Sequence, residues 1–304
     1  MRIVTCFIFL YIAVLVSIAY EGYCLSITND NDLSLHSVDL TNVTDLIVSC
    51  HMLPQVIDKT HMSKLISLTV NDGLLRTLPD SIYNMTNVEY LTLSGIGLEI
   101  LPDGIENLRK LRIINLTYNK LQSFPLGLCK LTGIEAIALS GNNLTIIPKE
   151  VYQLKKLKSI WLNSNNIITV PAELFELDNI IYIDLNGNKI SELPVSITNA
   201  YQLKTLCVSG NPISKYPKEM QRMRSLKRLY VGKITNEELN NLTMMLPFCE
   251  IITSKEKVSR TESNGILTII RQEEIERHKQ ERIKGVQDDS VMRKTNEIEI
   301  KKDK

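Results

Sequence analysis

Apolar residues recur along this chain in a short, strict rhythm. Around Asn115 the apolar Ile114 and Leu116 alternate with polar neighbours, a period of two that predicts a short strand with one buried face. Leu121, Phe124, Leu128 and Leu131 follow, with Pro125 among them. Proline lacks an N–H and holds φ near −65°, which suits the start of a short helical or extended return segment. The same unit begins again at Leu65, Val88, Leu111, Ile134, Leu157, Ile180, Leu203 and Leu226, and seven of the ten prolines, Pro79, Pro102, Pro125, Pro148, Pro171, Pro194 and Pro217, stand 23 residues apart. So regular a period means one supersecondary unit stacked in tandem, and no copy can bury its apolar face alone.

Each position in the unit has a physical task. In the fifth copy Ile160 and Leu162 point into the core, while Ser159, Trp161 and Asn163 point out. Parallel pairing at about 4.8 Å makes eight copies a sheet roughly 35 to 40 Å long. After the strand the chain turns inside a crowded interior and leaves backbone groups without ladder partners. Asn119, Asn142, Asn165, Asn188 and Asn211 stand at that turn, and a stacked amide offers both donors and an acceptor, so these five read as a structural ladder. Gly73, Ile96 and Ile234 occupy the same place in the first and last copies, which predicts less regular ends.

The pattern LxxIxLxxNxLxxFPxxLxxL, as it stands from Leu111 to Leu131, resembles the leucine-rich repeat family in its typical 23-residue form, from about Val43 to Ile252. The resemblance implies an α/β solenoid: a horseshoe with a parallel β-sheet on its concave face and short helical or extended returns on its convex face. It also implies a non-enzymatic protein that captures a protein partner on the concave sheet.

The candidate contact residues are the outward strand positions Tyr90, Ile113, Tyr118, Trp161, Asn163, Tyr182, Asp184, Arg228 and Tyr230. The single tryptophan of the chain stands in this file with tyrosines on either side, and aromatic anchors on a polar surface are what binding hot spots are built from. Charge on the face is uneven. Glu89 and Glu135 fall in its first half, while Lys158, Lys204, Lys227 and Arg228 gather toward its end, a gradient suited to steering an acidic partner. With a net charge of only +1, nucleic-acid binding has little support.

Catalysis has less. His36, His51 and His61 fall in the degenerate N-terminal region and His278 in the charged tail. None stands at ligand spacing with cysteines, and the repeat geometry places no serine, histidine and carboxylate on one surface. No cofactor or metal is expected.

The ends of the chain differ from its middle. Arg2 precedes Ile3 to Tyr20, an uncharged apolar run, with small residues at Ser17, Ala19, Gly22 and Cys24. This reads as a secretory signal peptide over 1–24, with an uncleaved anchor as the alternative and the only membrane contact expected. Either way the repeats face the lumen or the exterior. Four sequons, at Asn42, Asn84, Asn143 and Asn241, are candidate glycosylation sites. A fifth, at Asn115, lies on an outward strand position, where a glycan would obstruct the binding face. Residues 25–64 read as an N-terminal cap with a degenerate repeat, 65–234 as the repeats, 235–253 as a C-terminal cap with Thr235 capping a helix, and 254–304 as a charged, largely disordered tail with a helix over 266–284. The cysteines are not clustered at the repeat ends as disulfide caps. Free, mostly buried thiols are expected, which weigh against a long extracellular life. They favour an alternative reading by resemblance to Ras-linked intracellular scaffolds, whose 23-residue repeats lack cysteine caps.

Overall fold

The computed structural model describes residues 24–27, 42–50, 53, 56, 62–71 and 73–253; the expected signal segment, much of the N-terminal cap and the charged tail lie outside the described residues. The repeats form one open parallel sheet whose strands follow one another in chain order. These are β1 (Cys24–Ile27), β2 (Asp45–Ser49), β3 (Ser67–Asn71), β4 (Tyr90–Thr92), β5 (Ile113–Asn115), β6 (Ala136–Ala138), β7 (Ser159–Trp161), β8 (Tyr182–Asp184), β9 (Thr205–Cys207), β10 (Arg228–Tyr230) and β11 (Glu250–Ile252). Register advances by one repeat at every step, so Ile114 stands beside Ile137, Ile137 beside Ile160 and Ile160 beside Ile183. The α/β solenoid read from the period is the architecture observed.

Stacking turns each apolar position into a continuous column. Leu111, Ile114, Leu116, Leu121, Leu128 and Leu131 are all buried, as are their counterparts in the neighbouring copies. Each such side chain contributes about 1.5 to 3 kcal/mol relative to an exposed one, and nearly all of that is realised between repeats. The return segments are short 3-10 helices, such as Leu126–Lys130 and Lys149–Gln153, each entered through its proline. The carbonyls of Pro125 and Pro148 accept from Leu128 and Val151 at 3.1 and 3.2 Å, which drops those side chains into the core. After Pro102 the helix starts two residues late, at Ile105, because Gly104 takes φ 116° beneath the Tyr83 ring.

The asparagines satisfy backbone groups from one repeat to the next. Asn142 accepts from the Leu121 N–H at 3.0 Å and donates to the carbonyls of Leu116 and Leu139 at 3.0 Å each. Asn119, Asn165, Asn188 and Asn211 repeat the arrangement. Where Ile96 replaces the amide, the Leu75 N–H turns to the Ile96 carbonyl at 2.6 Å instead. The solenoid thus keeps its period there.

The sheet is longer than the eight copies read from the sequence. β2 comes from the degenerate copy around Leu46 and Val48, β1 pairs with it in parallel, and β11 closes the other end. Helix α1 (Asn236–Met245) precedes β11 and starts in a capping box: Thr235 accepts from the Glu238 N–H at 3.2 Å while the Glu238 carboxylate accepts from the Thr235 N–H at 2.8 Å.

Candidate protein-binding face

Strand alternation sends Ile160, Ile183 and Leu206 into the core and their neighbours to the other face of the sheet. Cross-strand register arranges those neighbours in two files. One runs Tyr90, Ile113, Ala136, Ser159, Tyr182, Thr205, Arg228; the other runs Thr92, Asn115, Ala138, Trp161, Asp184, Cys207, Tyr230. Seven of the expected contact residues, Tyr90, Ile113, Trp161, Tyr182, Asp184, Arg228 and Tyr230, therefore share one face. Tyr118 and Asn163 stand beyond it, at the turns where strands leave the sheet.

Accessibility divides this set. Tyr118 is 53% exposed, and Tyr90, Asn163 and Arg228 are half-buried. Trp161, Tyr182 and Asp184 are each 2% exposed and Tyr230 6%; Ile113 is buried too. Alternation fixes the face a side chain takes and leaves open how much of it water reaches. Trp161 stands beside Ala138, and Tyr182 stands between Ser159 and Thr205. These small neighbours leave the two rings room to close on one another, with centroids 5.4 Å apart. The Trp161 indole N–H is buried without an acceptor.

Two polar residues of the second file hold the strand-exit turns. Asn115 accepts from the Thr117 N–H at 3.0 Å and its hydroxyl at 2.8 Å, and Asp184 accepts from the Asn186 N–H at 3.0 Å. Burial pushes the Asp184 carboxyl up to about 6, against the opposing pull of the bonds from Asn186 and Tyr182. The Cys207 thiol lies 3.8 Å from the Tyr182 hydroxyl.

The acidic residues at the strand entry do not form an open acidic patch. Glu135 pairs with Lys158 at 2.7 Å and with the Arg112 guanidinium, whose other side faces Glu89 at 3.9 Å. Burial would raise the Glu135 carboxyl; the bonds from Lys158 and Arg112 outweigh it and hold the group below its ordinary value. Lys204 and Lys227, farther along, are exposed. The gradient anticipated from the sequence therefore reduces to a neutralised first half and a basic end, because a single-residue charge count does not see the Arg112 that joins both glutamates.

Of the sequon asparagines, Asn84, Asn143 and Asn241 are exposed. Asn42 is half-buried and accepts from Lys64 at 2.7 Å, and Asn115 is buried in the bonds given above. Cys50, Cys129 and Cys207 are buried and form no disulfide, and Cys249 is half-buried. Burial, helped by Glu150, pushes the Cys129 thiol up to about 12, which makes it inert. Among the described residues no group of three or more His, Cys, Asp or Glu stands together to hold a metal ion, and no helix is long and apolar enough to cross a membrane.

A file of outward side chains on a stack of proline-marked units, with an asparagine ladder beneath it, defines a leucine-rich repeat solenoid. Residues 109–167 and 155–213 match the leucine rich repeat family. A leucine-rich repeat protein of Leptospira interrogans superposes with a TM-score of 0.60 at 31% identity, over 62% of this chain and 49% of that one. An internalin of Listeria monocytogenes gives a TM-score of 0.62 at 22% identity, over 76% and 65%. The plant peptide hormone receptor RGFR1, in complex with RGF2, gives 0.53 at 21% identity, over 69% and 38%. The chain spans less than two thirds of the length of each. No curated protein sequence matches it.

Proposed function

We propose that this chain is a non-enzymatic recognition protein of the secretory pathway or the exterior, which captures a protein partner on the face of the sheet opposite its core. The observation that carries the reading is the aromatic and polar composition of that face. Tyr90, Asn163 and Arg228 keep part of their surface open and Tyr118 is exposed at its margin, while Trp161, Tyr182 and Tyr230 are buried behind them. Aromatic rings backed by a stiff sheet lose little entropy on binding and make strong anchors. Leucine-rich repeat domains generally bind proteins, and one of the structural neighbours is a receptor complexed with RGF2.

The experiment is expression of the full chain with a tag after Lys304. Recovery from the medium, starting near residue 25 and carrying glycans at Asn84, Asn143 and Asn241, is the expected result. Full-length protein in the cytosol overturns the secretory assignment. It would favour the alternative of an intracellular scaffold in the manner of Ras-linked repeat proteins, which the buried thiol of Cys129 supports.

A further inference from the structure

The sheet does not close, and its last strand has a bare edge. Among the described residues β11 pairs with β10 alone. The Glu250 N–H donates to the Lys227 carbonyl at 2.8 Å, and the Ile252 carbonyl accepts from the Val231 N–H at 3.0 Å. Alternation along the strand therefore turns the N–H and carbonyl of Ile251 the other way, away from the sheet. Folded proteins ordinarily blunt such an edge with proline or lysine, or cover it. β11 reads Glu-Ile-Ile, with neither residue in it. Three residues offer a docked strand only a few hydrogen bonds, so a partner needs further contacts beside them.

Those contacts stand at the strand entry. Lys204, Arg224 and Lys227 are exposed, and among the described residues none of them forms an ion pair, whereas Arg112, Lys130 and Lys158 farther back are all matched to glutamates. Lys204 and Lys227 enter neighbouring strands, the N–H of the second donating to the carbonyl of the first at 2.8 Å. The Arg224 guanidinium lies 5.9 Å from the centre of the Phe248 ring, and that ring, two residues before β11, is 71% exposed. Glu250 on β11 is exposed as well, and it leaves the corner with an excess of cations.

Together the edge and the corner select their occupant. An unpaired strand edge is completed by a polypeptide and by no glycan, lipid or nucleic acid. Unmatched cations beside an exposed ring suit an acidic segment that also brings an apolar side chain. We infer that the β11 edge is a docking site for an extended acidic polypeptide, which adds to the sheet along Ile251 and sets its carboxylates on Lys227 and Arg224. This second docking element lies at the end of the solenoid, apart from the face opposite the core.

The test uses the full chain and short peptides selected against it from a displayed random library. The selected peptides should carry net negative charge and bind more weakly as salt is raised. Ile251→Pro removes an N–H that β10 does not use, and proline is tolerated at such edge positions. It should keep the far-UV circular dichroism spectrum and weaken peptide binding about tenfold or more. Peptides N-methylated at alternate backbone positions test the same pairing with the protein unaltered: one set of positions should abolish binding and the other should leave it within about twofold. Lys227→Glu combined with Arg224→Glu should weaken binding about fivefold or more at low salt and much less in molar salt.

An empty selection, neutral or basic peptides, or indifference to N-methylation overturns the proposal, the last even where binding depends on Lys227 and Arg224, since that would be a plain polyanion patch. So does a dimer of the chain that Ile251→Pro dissociates, because a second copy would then hold the edge. Should Ile251→Pro unfold the chain, the N-methylated peptides decide. Peptides that ignore Ile251→Pro and N-methylation but weaken with Tyr90→Ala would sink the edge site and leave the face opposite the core standing; peptides indifferent to all of these would sink both.

Discussion

Trp161 on β7 and Tyr182 on β8 pack ring against ring, with centroids 5.4 Å apart and planes inclined at 38°. The two side chains stand in different files of the outer face, one strand apart, and each is 2% exposed. The pair therefore stiffens the middle of the sheet as well as facing away from the core. Trp161→Ala removes one ring and leaves the other without its partner, so it should lower stability by about 3 kcal/mol. Trp161→Phe should cost less than half of that, because it keeps an aromatic face and discards an indole N–H that meets no acceptor. Urea denaturation followed by far-UV circular dichroism reads both.

Asp184 gives the same face a pH dependence. Its carboxyl is raised from 3.8 to about 6, first by burial. The folded chain holds this proton more tightly than the unfolded one, so the contribution is fully present below pH 4 and is lost as the pH rises toward 6. The groups around it, Tyr182, Asn186, Thr205 and Cys207, supply no cation to reverse the sign. Asp184→Asn keeps an acceptor for the Asn186 N–H and removes the buried charge. At pH 7 it should stabilise the chain by about 2 kcal/mol, and the gain should vanish near pH 4. A gain that persists at pH 4 would assign the effect to packing.

The repeat, the core columns and the amide ladder are all legible in the sequence, since each rests on a period and a period survives without coordinates. Leu116 and Asn119 hold the same places in every regular copy, and stacking leaves them one environment. Accessibility is not periodic. Trp161 reads as outward by alternation, yet it is buried and its ring packs on that of Tyr182 one strand away. Strand β1 is four residues long with no proline or asparagine to mark it, so nothing in its sequence distinguishes it from a loop.

The ladder should show its worth when one amide is deleted. Asn165 holds the Leu144 N–H at 3.0 Å and the carbonyls of Leu139 and Leu162 at 3.0 Å each, all buried. Asn165→Ala leaves a donor and two acceptors without these bonds where water cannot replace them, at a cost of about 3 kcal/mol. Native-state hydrogen exchange should locate the loss: the Leu144 amide should exchange faster by about two orders of magnitude, while the Leu98 amide, held by Asn119, stays protected. Uniform acceleration along the solenoid would mean that the amide acts through global stability alone.

Glu135 tests the charge ladder at the strand entry, with a pH sign opposite to that of Asp184. Its carboxylate is held below the ordinary range by Lys158 and Arg112 against the effect of burial. Its contribution is present above the unfolded value, near 4.3, and is lost as the pH falls through the folded one. Glu135→Gln keeps the shape and weakens both bonds, while the longer contact of Arg112 to Glu89 at 3.9 Å stays. It should cost about 1 to 2 kcal/mol at pH 7 and low salt, less in molar salt, and nothing well below pH 4. Combined with Asp184→Asn, whose gain runs the other way, it should give a chain whose stability hardly varies between pH 4 and pH 7. The carboxyls lie two strands apart, on β6's entry and on β8, so the two effects should add. Stability curves of the double variant that depart from the sum of the singles would show that the strand-entry ladder and the Trp161–Tyr182 floor are coupled through β7.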